Sequence, residues 1–324
     1  MLRRPFRFAV TAPPVAGPVA RWVESVRMIE SMGFDSVVIA DHFTDGYDTE
    51  PMVGLTAAAM ATERLRLQTG VLGVDYRHPV LTHRMAATLD VLSEGRFTLG
   101  LGAGWMVSDY EAAGIPYDAP GTRVDRLEEL VTILKGLFGT APFSFRGRHF
   151  EIRALVGLPA PVQQPHPPFF IGGGGRRMLG LAGREAAVVG INANLRAGTL
   201  GRHAVVDFGA DAVHEKIRWA REGAASSGRD PDDLELSLNS WLVRVSPTAA
   251  DAAAFLERIA GRVQVPVELL AASPSVLVGT TAQCVDLLVA RRETFGFNRV
   301  QLDAGFAPDD LAMLEPVVAA LAGT

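Results

Sequence analysis

Four short stretches of this sequence combine residue types that chemistry needs. The first is Asp41-His42, directly after the apolar run SVVIA at 36–40. An imidazole titrates near neutrality and a neighbouring carboxylate fixes its surroundings, so the pair suits orienting a ligand and moving a proton. It equally suits capping a loop. The second is Thr69-Gly70-Val71, where a strand end meets glycine before a bulky apolar residue. Backbone held in an unusual conformation there would press against one face of a planar ring, and an ordinary turn is the plainer alternative. The third is Gly102-Ala103-Gly104-Trp105, where glycines remove Cβ as a strand becomes a loop, so that a flat ligand would lie on the backbone itself. Trp105 either lines a pocket or plugs the space behind it. The fourth is FFIGGGGRR at 169–177. Gly172, Gly173, Gly174 and Gly175, set between a strand and a helix, expose consecutive N–H groups at the positive end of that helix. This is a phosphate cradle to which Arg176 and Arg177 add charge. It is neither a GxGxxG fingerprint nor a P-loop.

Other chemistries lack their residues. The histidines at 42, 78, 83, 149, 166, 203 and 214 form no helical pair with an acid, so no metal site is expected, and no GxSxG elbow occurs. Cys284 is the only cysteine, which excludes an internal disulfide; in TTAQCVDLL it reads as a buried, inert thiol on the apolar face of a helix. A net charge of −5 offers no footprint for nucleic acid. No apolar run approaches the roughly 20 residues of a membrane span, and MLRRPFRFAV lacks the core of a signal peptide, so a cytoplasmic protein without membrane contact is expected.

Apolar runs of strand length that alternate with amphipathic stretches position these four sites. Strands are expected at 6–12, 36–40, 65–69, 96–105, 169–171, 187–191, 236–245 and 299–302. Helices are expected at 18–32, 52–61, 80–92, 108–113, 123–137 with Thr122 as cap, 176–182, 212–226, 249–261, 282–295 and 311–321. The alternating segment 143–152 reads as a hairpin, and the proline-rich 159–168 as extended chain. With 324 residues, 48% of them hydrophobic, the chain suffices for one large core. The expectation is a single α/β domain over 1–324. It is a (β/α)8 TIM barrel with a short insertion between strands four and five, and its strand ends meet at one mouth.

The chain resembles the luciferase-like flavin and deazaflavin oxidoreductases, most closely the coenzyme F420-dependent branch. The resemblance spans essentially the whole chain and rests on VVIADHF, TGVLGVDYRHP, ATLDVLSEGRFTLGLGAGW, RVDRLEELVTILKGLF and PVQQPHPPFFIGGGG in that order. It implies that Asp41 lies near the deazaflavin ring and His42 near the hydride-transfer centre, and that Gly70–Val71 is a non-proline cis peptide behind the ring. It further implies that Gly102, Ala103, Gly104, Trp105 and Ser108 follow the ring and side chain of the cofactor. Gly172 to Gly175 would cradle its phosphate, with Asn192 a further contact. The implied cofactor is F420, with FMN the alternative; FMN would bring oxygen chemistry and a partner flavin reductase. Binding of F420 without catalysis is a third possibility. A small organic substrate and a homodimer through helices flanking the early strands are also implied. Trp105 and Gly46 stand where sugar-phosphate dehydrogenases of the family carry a glutamate and a tryptophan, and Leu195 lies near the position of a lysine, so glucose-6-phosphate is not the expected substrate.

Overall fold

The computed structural model describes residues 4–195, 198, 201–303, 305 and 308–324. Among them, eight parallel strands close into a barrel. These are β1 (Arg7–Thr11), β2 (Ser36–Ile39), β3 (Arg66–Thr69), β4 (Phe97–Gly102), β5 (Phe169–Gly173), β6 (Val188–Ile191), β7 (Glu235–Ser240) and β8 (Phe297–Leu302). Each pairs with its neighbours in the chain, β8 pairs with β1, and β3 pairs with β4 through Leu67↔Phe97 and Gln68↔Thr98. The strands are short, and β2, β4 and β6 are buried along their whole length, as parallel strands sandwiched between helices and a filled interior must be.

Helices α1 (Val19–Ser31), α2 (Pro51–Ala61), α3 (Pro79–Leu92), α4 (Val107–Ala113), α5 (Pro120–Leu137), α6 (Arg176–Glu185), α7 (Ala210–Ser226), α8 (Ala249–Val263) and α9 (Thr281–Phe295) accompany the strands. The spacing of Trp22, Val26 and Ile29 buries one face of α1, and Gly33 at φ +83° ends that turn. The capping box at Thr280 and Gln283 starts α9.

Several expected boundaries are corrected. The long helix α5 begins at Pro120 behind Ala119, and Thr122 does not cap it; proline suits the first helical position because it has no N–H to leave unpaired. The run at 236–245 is not one strand. The chain leaves the barrel after Ser240, and Leu242–Val245 pairs instead with Val276–Gly279 in a separate two-stranded sheet. The helix Val267–Ala271 and most of that partner strand, which ends at Gly279, fall in 265–278, which carries no strict periodicity. The hairpin between β4 and β5 runs to Leu155, and the closing helix divides into Pro308–Ala312 and Glu315–Leu321. Cys284 is buried as expected, and burial pushes its thiol up to about 11. Among the described residues no helix is long and apolar enough to cross a membrane.

Candidate active site

The four stretches do meet at the mouth of the barrel, around a cavity of about 530 Å³. The glycines explain how the room arises. A Cβ on Gly100 would lie 1.8 Å from the Thr69 carbonyl oxygen, and one on Gly102 would lie 2.5 Å from the Val71 side chain, so β4 admits the bulge after β3 only without side chains there. The Gly70–Val71 peptide is cis. The Thr69 hydroxyl accepts from the Gly100 N–H (2.7 Å) and donates to the Gly100 carbonyl (2.9 Å), which ties the bulge to β4. Thr69 is therefore buried behind the cavity wall, while Gly70, Val71, Gly102, Ala103, Gly104 and Trp105 line it.

His42 lines the same cavity, with its orientation set from α4. Its Nδ1 lies 2.5 Å from Oδ2 of Asp109, a fully buried carboxylate. The other oxygen of Asp109 accepts from the Phe43 N–H (3.0 Å) and the Thr44 hydroxyl (3.3 Å). With Nδ1–H committed to a carboxylate, Nε2 is the nitrogen left for proton exchange. Tyr47 and Trp105 flank the imidazole, with ring centroids 4.4 and 5.6 Å away.

Asp41 is held differently. It accepts from both terminal nitrogens of Arg77 (2.5 and 3.0 Å) and from the Gly73 N–H (2.9 Å). Burial opposes the charge of Arg77, but Asp41 and Glu50 outweigh it and keep the guanidinium above its usual range. Asp41 thus fixes the loop after β3 while also lining the cavity.

At the other end of the cavity, Gly172, Gly173, Gly174 and Gly175 lead from β5 into α6. Gly174 packs so closely on the backbone of Ala193 that a Cβ would lie 2.2 Å from its carbonyl carbon. Beside Gly175 there is open space, the nearest atom to a Cβ being 4.0 Å away, and no side chain caps the helix, so the first N–H groups of α6 remain available to an anion. Arg176 and Arg177 line the cavity but also reach acidic partners, Glu222 for one and Asp125 and Glu128 for the other. Asn192 lines it too, with its amide oxygen turned back onto the Ala193 N–H at 2.9 Å.

Ser108 is exposed on α4 and lies outside the lining. Asp109 and Arg77, the partners of His42 and Asp41, escaped the sequence reading, as did Tyr76, Phe170, Met178, Ser237, Asn239 and Gln301, which also line the cavity. For the last three a signal existed: polar residues at inward positions of two strands otherwise built from apolar ones.

Comparison with known proteins places the chain in a family. The chain is 32% identical over 242 residues to 4-hydroxyprotoasukamycin monooxygenase of Streptomyces nodosus subsp. asukaensis, a match covering 71% of this chain and 59% of the relative. It is 31% identical over 165 residues to an F420-dependent glucose-6-phosphate dehydrogenase of Microbacterium testaceum, covering 49% of this chain and 48% of the relative. These matches span about half to three-fifths of each relative's length. The solved coenzyme F420-dependent tetrahydromethanopterin reductase of Methanopyrus kandleri has the same fold, with a TM-score of 0.76 at 19% identity over 97% of both chains. The family model of luciferase-like monooxygenases matches residues 5–299, and the chain belongs to that family.

Proposed function

We propose that this chain is an F420-dependent oxidoreductase that passes a hydride between C5 of the deazaflavin and a carbon of a small organic substrate. One observation carries this reading: an imidazole oriented by a buried carboxylate at one end of a cavity whose other end is an open, glycine-lined helix N-terminus. The F420-dependent dehydrogenase among its relatives supports it. When bound, the coenzyme supplies the hydride chemistry. Gly172 to Gly175, Arg176 and Asn192 would hold its phosphate, and Gly70, Val71, Gly102, Ala103 and Gly104 would back its ring. Nε2 of His42 gives or takes the accompanying proton, while Trp105, Phe170 and Met178 narrow the cavity against water.

A second reading, an FMN-dependent monooxygenase using reduced flavin, O2 and a separate reductase, is favoured by the monooxygenase relative. Turnover that requires NADH, a flavin reductase and O2 would replace the first reading with the second. Turnover supported by F420 alone under anaerobic conditions sustains the first. Tight F420 binding without turnover on any carbonyl or alcohol tried would favour a carrier.

The proposal extends to a homodimer. Val53 and Met60 on α2 are 71% and 64% exposed, and Leu81 on α3 is 54% exposed, an apolar face that a second copy would cover. A monomer in sedimentation at micromolar concentration would exclude it.

A further inference from the structure

One side of the cavity has no part in the chemistry above. Asn239 on β7 and Gln301 on β8 are register partners, so their side chains project inward side by side, and both line the cavity. Behind them lies Asp303. Its carboxyl accepts from the Thr11 hydroxyl (2.5 Å), from Nε2 of Gln301 (3.2 and 3.3 Å to its two oxygens) and from the Asn239 side chain. Nε2 of Gln301 also reaches the Thr11 hydroxyl at 3.1 Å.

A carboxyl collecting these bonds fixes which way each amide points. The amide nitrogens turn towards Asp303 because only they can donate, and the carbonyl oxygens are left facing away from it. For Asn239 the consequence is visible: its Oδ1 is buried and has no hydrogen-bond partner among the described residues. Native structures rarely leave such an acceptor empty, so a ligand is its natural complement.

Building on the cavity being the ligand site, we infer that Asn239 and Gln301 form an acceptor pair that selects a ligand carrying an N–H or O–H group, rejecting analogues in which that hydrogen is replaced by methyl. Burial raises the Asp303 carboxyl above the usual range, against the bonds from Thr11, Gln301 and Asn239. The amide orientation survives this, because a neutral carboxyl still has lone pairs for both amide nitrogens.

The donor has two sources, the imide N–H of a flavin or deazaflavin ring and a hydroxyl of the organic substrate. Two binding series on the full chain separate them, each run with wild type, Asn239→Leu and Gln301→Met, and with folding checked by circular dichroism. In the first, fluorescence titration compares FMN and F420 with their N3-methylated forms. In the second, thermal shift compares cyclohexanol with cyclohexyl methyl ether. The inference expects wild type to favour the donor-bearing member of one series by roughly tenfold, and either variant to bring that ratio close to one. Discrimination in the first series assigns the donor to the cofactor, and in the second to the substrate. Should neither cofactor bind wild type, the reading as an F420 or FMN enzyme fails, while the alcohol series still tests the acceptor pair. Equal binding within both series in wild type, or a ratio unchanged in both folded variants, overturns the inference.

Discussion

His42 and Asp109 stand 67 residues apart in the chain and 2.5 Å apart in space. The carboxylate is fully buried and accepts from the Phe43 N–H as well, so it holds both the ring and the loop that carries it. Oriented in this way, the imidazole presents one nitrogen to the cavity.

Asp109→Asn would place an amide N–H against either the imidazole or the Phe43 N–H, losing the orientation. Turnover is expected to fall about 10–100-fold with cofactor affinity nearly unchanged. His42→Ala should cost about 100-fold or more in turnover, again with binding retained. Steady-state kinetics beside fluorescence titration of both variants checks this pair of results, and an equal loss of binding would deny His42 its role in proton transfer.

Two glycines should respond in opposite ways. In Gly100→Ala the new methyl meets the Thr69 carbonyl, a backbone atom that cannot move aside, and destabilisation of about 3 kcal/mol is expected in urea denaturation. Gly175→Ala meets nothing closer than 4.0 Å and should leave stability within about 0.5 kcal/mol while weakening a phosphate-bearing cofactor.

Removing Arg77 would leave Asp41 buried without its cation. Arg77→Met is expected to destabilise the fold by about 3–5 kcal/mol, because the carboxylate keeps its desolvation cost and loses its ion pair. Denaturant midpoints for wild type and variant measure the difference.

Stability should also decline towards acid pH through two histidines. Burial holds His83 and His166 below the usual histidine range, against hydrogen bonds to the Leu137 and Pro167 carbonyls. Their depressed values mean that the unfolded chain binds more protons, so their contribution is complete above the unfolded value of about 6.5 and is lost as pH falls below it. NMR titration of the imidazole resonances, with denaturant midpoints between pH 7.5 and 5, tests the sign. Histidine titrations at or above the ordinary value would contradict it.

The barrel was legible because short, strand-length segments such as SVVI and FTLGLG alternate with helix-length segments, several of which, like α1, carry a periodic buried face. The glycine turn from β5 into α6 was legible because four consecutive glycines stand between an apolar run and an amphipathic stretch. What escaped depends on distance along the chain. Nothing in VSDYEAA marks Asp109 as the partner of a histidine 67 positions earlier; on its own it reads as an acid in the first turn of an exposed helix. Arg77 looks like a loop arginine until the fold brings Asp41 to it. The division of 236–245 was hidden for another reason: alternation continues across Ser240 and Trp241, and only the pairing of Leu242–Val245 with Val276–Gly279 reveals that the chain has left the barrel.

The most direct test of the central claim is fluorescence titration of the purified apoprotein with F420 and, separately, with FMN. The account expects saturable binding of F420 at least tenfold tighter than that of FMN, a difference of about 1.4 kcal/mol. Tighter binding of FMN would contradict it and redirect the chemistry to oxygen and a partner reductase.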